Sequence, residues 1–109
     1  MKLESISPAQ FQDNIKNQAV VVIDVRQPPE WHQAHIQGAT LIPLTQLAQD
    51  IRKHCQDPQQ PVYVYCQHGV RSHQAGLLLL SLGYEKVFQL QGGLSQWIDA
   101  GFPCQSGAL

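Results

Sequence analysis

Apolar positions fall into two kinds of pattern. Ala19-Val20-Val21-Val22-Ile23-Asp24-Val25 is almost continuously apolar, so it reads as a strand buried on both faces of a parallel sheet. Val62-Tyr63-Val64-Tyr65 is a second, shorter buried strand, closed by Cys66. Residues 3–6, 40–43 and 86–90 supply three further strand candidates, the first an edge strand. Between them the spacing becomes helical. Ser7-Pro8 predicts a helix start, with Ser7 as N-cap, Pro8 at the first helical position and Gln10 in the capping-box position. That helix reaches about residue 17 and buries Phe11 and Ile15, four apart. Residues 28–32 predict a short helical turn. Residues 44–54 predict a helix with Leu44, Leu47 and Ile51 on one side. Residues 72–82 predict another, whose Leu77-Leu80 run implies burial on most of its surface, with Gly83 as its stop. The Gly92-Gly93 turn leads to a last helix over 94–100.

Alternation of β and α elements predicts an α/β fold, a mainly parallel sheet of five strands with helices on both faces. Ligands in such sheets bind at the carboxyl ends of the strands. Asp24, Arg26, Cys66 and the Gly92-Gly93 turn all fall at that edge. At 109 residues the chain forms one domain with a core that needs no staples. Charged residues make up 14%, below the roughly 25% usual for soluble domains, and scattered glutamines fill the polar positions instead. The net charge of −1, with no basic run, argues against nucleic acid or an anionic membrane as partner. Cys55, Cys66 and Cys104 are odd in number and irregularly spaced, a poor disulfide framework, and without a Cys-x-x-Cys pair they suggest neither structural zinc nor dithiol redox chemistry. No metal or organic cofactor is implied. Residues 1–10 hold no apolar core of signal-peptide length and no run approaches a membrane span. A reducing cytoplasm is therefore the expected location.

The candidate chemistry lies in Cys66-Gln67-His68-Gly69-Val70-Arg71-Ser72. A strand ends in a cysteine, a tight loop follows, and a helix begins at once. Backbone N–H groups in such a loop form an anion-binding nest, and the helix adds the positive end of its dipole. Both favour the thiolate, the nucleophilic form.

With these residues in view, the sequence resembles the single-domain rhodaneses, which are sulfurtransferases. Three segments carry the resemblance: Ile23-Asp24-Val25-Arg26 with Glu30-Trp31, His35-Ile36-Gln37-Gly38-Ala39 and Ile42-Pro43; Tyr65-Cys66-Gln67-His68-Gly69-Val70-Arg71-Ser72; and Leu90-Gln91-Gly92-Gly93 with Trp97 and Gly101-Phe102-Pro103. Their order covers residues from about 4 to 103. Ala34 departs from the family, which often has glycine there. The resemblance implies a three-layer α/β/α domain with a parallel sheet of order 1-5-4-2-3. It also implies a Cys66 persulfide, charged by thiosulfate or a persulfide donor and discharged to a thiophilic acceptor, cyanide in an assay or a thiol in the cell. The same domain could instead serve as a sulfur-relay or regulatory module that hands sulfur to a protein. Cell-cycle phosphatases and arsenate reductases of the same fold use a seven-residue loop. Cys66 to Arg71 spans six, a tighter ring that suits one outer sulfur better than a tetrahedral phosphate.

Cys66 is thus the expected nucleophile, with the amides of Gln67, His68, Gly69, Val70 and Arg71 around the sulfur and Gly69 supplying an unusual backbone angle. Arg71 at a helix start opposes the dipole, a placement better explained by an anionic donor than by solvent alone. His68 either points outward or adds charge near the sulfur, and Gln67 is a rim residue. Asp24 and Arg26 are expected to be structural, Arg26 pairing with Glu30 or another carboxylate and Asp24 accepting loop N–H groups. His35 is expected to pack and bond backbone, Trp31 and Trp97 to line core or pocket. Cys55 and Cys104 lack activating neighbours, Cys104 lying in a terminus expected to be mobile.

Overall fold

Strand pairing decides where each buried run lies. In the computed structural model, which describes residues 2–107, β1 (Lys2–Ile6), β2 (Val21–Asp24), β3 (Thr40–Leu41), β4 (Val62–Tyr65) and β5 (Lys86–Leu90) form one sheet of order β1-β5-β4-β2-β3. Every neighbouring pair is parallel, as the resemblance implies. β4 is central and all four of its residues are buried. Its side chains alternate between two cores, as strand geometry requires. Val62, Val64 and Cys66 join Ile23, Val25 and Val87 on one face. Tyr63 and Tyr65 join Val22 and Leu90 on the other.

Helices cover both faces. α1 (Pro8–Asn17) and α5 (Gly93–Asp99) contribute Phe11, Leu94 and Trp97 to the tyrosine face. α3 (Leu47–His54) and α4 (Val70–Ser81) contribute Leu47, Ile51, Ala75 and Leu79 to the other. α2 (Pro28–Gln33) lies between β2 and β3 in sequence. Among the described residues no helix is long and apolar enough to cross a membrane.

Several boundaries differ from the sequence pattern for local reasons. The run 19–25 pairs only from Val21, whose partner is Val62; the residue before that partner is Pro61, which has no N–H to extend the ladder. β3 stops at Leu41, two residues before Pro43. The helix expected from residue 44 opens as a tight 3-10 turn, Leu44–Gln46, before α3 proper, a common way to start a helix. At α1, Ser7 Oγ accepts the Gln10 N–H at 3.2 Å as expected, but the Gln10 side chain donates to Asn14 Oδ1, so the capping box is half made.

α4 carries the largest correction. It begins at Val70 and not at Ser72, which brings Arg71 and Ser72 into its first turn. It also does not bury most of its surface. Ser72, Ala75, Gly76 and Leu79 face inward, while Leu77 is 50% exposed. A helix packed on one side of a sheet has one buried stripe, and four consecutive leucines cannot all lie on it. We expect Leu79→Ala to cost about 2–5 kcal/mol of stability and Leu77→Ala less than about 0.5 kcal/mol, read by urea denaturation. Equal losses at the two positions would contradict this packing.

Candidate active site

Cys66 follows the last residue of β4, and its side chain is 1% exposed. The Gly69 N–H points at Sγ from 3.1 Å and the Ser72 N–H from 3.2 Å. Ser72 Oγ lies 3.5 Å from the same sulfur and within 3.3 Å of both the Gly69 carbonyl and Gln89 Oε1. The sulfur therefore faces backbone donors at the positive end of α4, a setting that stabilises an anion.

The cradle of amides expected over residues 67–71 thus resolves to Gly69 plus one residue beyond it. The earlier start of α4 is the reason. Gly69, at φ +111°, is the N-cap, so Ser72 becomes the third helical residue and its N–H is one of the unpaired first-turn donors. Ser72 is the site residue that pattern reading misses; a small hydroxyl residue directly after the Cys-to-Arg loop is the available signal.

Loop orientation is imposed from α5. The Cys66 carbonyl accepts the Leu94 N–H at 2.8 Å, and the Gln67 carbonyl accepts the Ser95 N–H at 3.0 Å. These bonds turn the first two loop carbonyls toward α5 and away from the sulfur. The approach requires glycine at position 93, where φ is +66° and a Cβ would lie 2.5 Å from the Gln67 carbonyl carbon and oxygen.

Two arginines stand at this edge, and each has its own carboxylate. Arg26 is 1% exposed. Its guanidinium grips Asp24, with Nη2 to Oδ2 at 2.7 Å, and also donates to the Ala34 carbonyl at 2.6 Å and to Gln67 Oε1 at 2.9 Å. Asp24 Oδ1 accepts the Arg26 N–H at 3.0 Å. Both residues are therefore structural, as expected, with Asp24 and not Glu30 as the partner. Burial is the largest single influence on Arg26 and would make it easier to deprotonate, but the hydrogen bonds and charge of Asp24, with the nearby Tyr65 and Glu30, together outweigh it and hold its pKa above the usual value. Gln67 does not stand free at the rim; its side chain is committed to Arg26.

Arg71 forms a forked pair with Glu30 across the sheet edge, Nη1 to Oε1 at 2.7 Å and Nη2 to Oε2 at 2.8 Å. Glu30 Oε1 also accepts the Gln27 N–H at the start of α2. The Arg71 bonds draw the Glu30 carboxyl down from 4.5 to about 2, against a smaller opposing effect of burial.

The remaining candidates separate clearly. The side chains of His68 and Val70 are exposed, Val70 at 70%. His35 is buried, stacks on Trp31 with ring centres 3.7 Å apart and contacts the Trp31 carbonyl through Nδ1, a packing role. Trp97 is core and donates to the Pro103 carbonyl. Cys55 is buried, and burial pushes its thiol up; burial does the same to Cys104. The segment carrying Cys104 is tied down, contrary to expectation, because Gln105 and His35 exchange two backbone hydrogen bonds of 2.8 Å. Among the described residues no cluster of three His, Cys, Asp or Glu side chains could hold a metal ion.

Fold and site together define an α/β domain that holds one cysteine beneath a loop and helix start whose N–H groups face its sulfur. The chain belongs to the Rhodanese-like domain family, which matches residues 7–100. It is similar to the uncharacterized protein YqhL of Bacillus subtilis, at 45% identity over 76 residues, covering 70% of this chain and 59% of that protein. It is also similar to the thiosulfate sulfurtransferase GlpE of Pseudomonas fluorescens, at 34% identity over 90 residues, covering 83% of this chain and 81% of that one. Among solved structures, the rhodanese-related protein of Thermoplasma volcanium superposes with a TM-score of 0.82 at 32% identity, covering 94% of this chain and 97% of that chain.

Two outcomes follow from the site geometry. Gly93→Ala, which is both strained at positive φ and in collision with the loop, should cost about 2 kcal/mol or more, measured by urea denaturation; a change below about 0.5 kcal/mol would mean that α5 does not seat the loop as described. The Glu30–Arg71 pair should stabilise the protein above the ordinary carboxylate pKa of 4.5 and lose that effect as pH falls toward about 2, because a depressed folded-state pKa makes the unfolded chain bind more protons in that window. Both side chains are about one-third exposed, so solvent screening limits the contribution to about 0.5–1 kcal/mol. The stability difference between wild type and Glu30→Gln should have that size at neutral pH and vanish near pH 2; a difference independent of pH would contradict it.

Proposed function

We propose that this protein is a sulfurtransferase that carries a sulfane sulfur on Cys66. The observation that carries this reading is a buried cysteine sulfur facing two backbone N–H donors at the start of a helix, under a loop of six residues. The Cys66 thiolate attacks the outer sulfur of thiosulfate or of a persulfide. The donor's S–S bond breaks, and sulfite or a thiolate departs with the bonding electron pair. The persulfide so formed on Cys66 carries its charge on the outer sulfur. The Gly69 and Ser72 N–H groups, which face the Cys66 sulfur, are the donors available to that charge. Attack by cyanide or an acceptor thiolate on the outer sulfur then returns Cys66 as a thiolate. The cycle is covalent catalysis in two half-reactions and requires no metal or organic cofactor. The likeness to the thiosulfate sulfurtransferase GlpE supports it. The acceptor class we assign is a thiol in a reducing, cytoplasmic setting, where the three free cysteines would remain reduced.

A second reading is a relay module with little turnover of its own. Val70, 70% exposed beside the loop, supports it by offering an apolar contact for a protein acceptor. Rapid transfer to a protein thiol with negligible turnover on small thiols would favour that reading.

The test is intact-protein mass after incubation with thiosulfate or a small persulfide, with and without cyanide. The expected result is a gain of one sulfur atom, removed by cyanide and absent from a folded Cys66→Ser variant. No gain from either donor, or the same gain in Cys66→Ser, would overturn the proposal.

A further inference from the structure

Both arginines at the mouth of the site are already neutralised by carboxylates of this chain. Arg26 is enclosed, with its donors distributed over Asp24, Ala34 and Gln67, and it cannot turn to a ligand without dismantling the end of β2. Arg71 differs. Its guanidinium is about one-third exposed, and it directly precedes Ser72, whose N–H touches the Cys66 sulfur. It is the cation that an anionic donor would meet. Yet both arms of its fork are held by Glu30, and Glu30 is in turn fixed by the Gln27 N–H at the start of α2.

We infer that Glu30 is a specificity-determining residue that withholds Arg71 from doubly charged oxyanion donors and so selects persulfides over thiosulfate. The inference rests on the sulfurtransferase reading above. Thiosulfate brings two negative charges. To engage Arg71 it must break a bidentate charge-assisted pair and approach a carboxylate that stays ionised far below neutral pH. A persulfide of an uncharged thiol brings at most one charge, located on the sulfur that the loop amides receive, and it asks nothing of Arg71. Opposite charges that satisfy each other across a site bind neither partner's ligands well, and a like charge beside an incoming anion discriminates against it. Glu30 acts through Arg71 and takes no part in the bond changes at sulfur.

Glu30→Gln keeps the shape and an acceptor for the Gln27 N–H while removing the charge. It should lower KM for thiosulfate by about tenfold, the scale of one charge-assisted hydrogen bond made available to the donor. It should change kcat/KM for the persulfide of 2-mercaptoethanol by less than about threefold on the same argument. Adding Arg71→Gln to Glu30→Gln should abolish the thiosulfate gain, because the gain comes from the freed guanidinium. Thermal melts establish that each variant is folded. Should Glu30→Gln not fold, Glu30→Asp, which retains the charge but shortens the fork, should show a smaller gain of about threefold for thiosulfate. An unchanged ratio between the two donors in a folded Glu30 variant, equal losses with both donors, or a gain that survives removal of Arg71 would each overturn the inference and mark the pair as scaffold. Sulfur loading of Cys66 by mass separates the two levels. Loading with an unaltered donor ratio defeats only the role of Glu30, whereas no loading by either donor defeats the sulfurtransferase reading and this inference together.

Discussion

The carbonyls of Cys66 and Gln67 are the constraint on which the site depends. Left free, a loop of this length has many arrangements of its peptide planes. Here the Leu94 and Ser95 amides of α5 take those two carbonyls, and the loop can then present N–H groups on its inner side. The donors that face the sulfur belong to Gly69 and Ser72. α5 contributes no atom to the sulfur itself, but it sets the polarity of the surface that the sulfur meets. The arrangement needs the α5 backbone to come closer than a side chain permits, hence the glycine at 93 with its positive φ. The strand order makes this contact available, because β5 lies beside β4 and delivers α5 to the carboxyl end where the loop begins.

Around that core the charges are arranged in pairs. Asp24 and Arg26 are both fully buried, and such a pair is rarely a net source of stability because desolvation offsets the attraction. Its value lies in geometry. One guanidinium links the end of β2, the Ala34 carbonyl ahead of the His35 stack, and the Gln67 side chain in the loop. Glu30 and Arg71 are a looser pair at the surface, joining α2 to the first turn of α4. A cation in that turn opposes the helix dipole, and the facing carboxylate offsets the repulsion. The first pair builds the loop's support. The second sets the charge that an incoming donor encounters.

Most of the fold is legible in the sequence. The five strands and the helices between them are visible as apolar runs and 3.6-residue spacing, while the strand order comes from the family resemblance, since pairing is a long-range property that local pattern does not encode. Differences cluster where local rules compete. Pro61 trims β2 by removing a ladder donor, and β3 ends at Leu41 shortly before Pro43. The leucine run of α4 suggests more burial than one sheet face can provide. Cys66, the loop and Gly69 can be found from order and spacing alone. The amide of Ser72 that reaches the sulfur cannot, because it depends on where the helix starts: with Gly69 as N-cap, Ser72 is the third helical residue and its N–H has no partner within the helix.

The partner of Arg71 is hidden for a related reason. Glu30 lies 41 positions earlier in the chain and looks from its neighbours like an ordinary first-turn acid of a short helix, a favourable place for one. Only the sheet brings α2 and α4 to the same edge. Arg26, by contrast, sits two residues from Asp24; its structural role is legible from its place at a strand end, although the sequence points to Glu30 or another carboxylate as its partner and the fold supplies Asp24. The two arginines thus illustrate one distinction. A charge satisfied within a few residues can be recognised as scaffold from its neighbours along the chain. A charge satisfied across the fold looks free in sequence and invites assignment to a ligand, although the folded chain has supplied a carboxylate of its own.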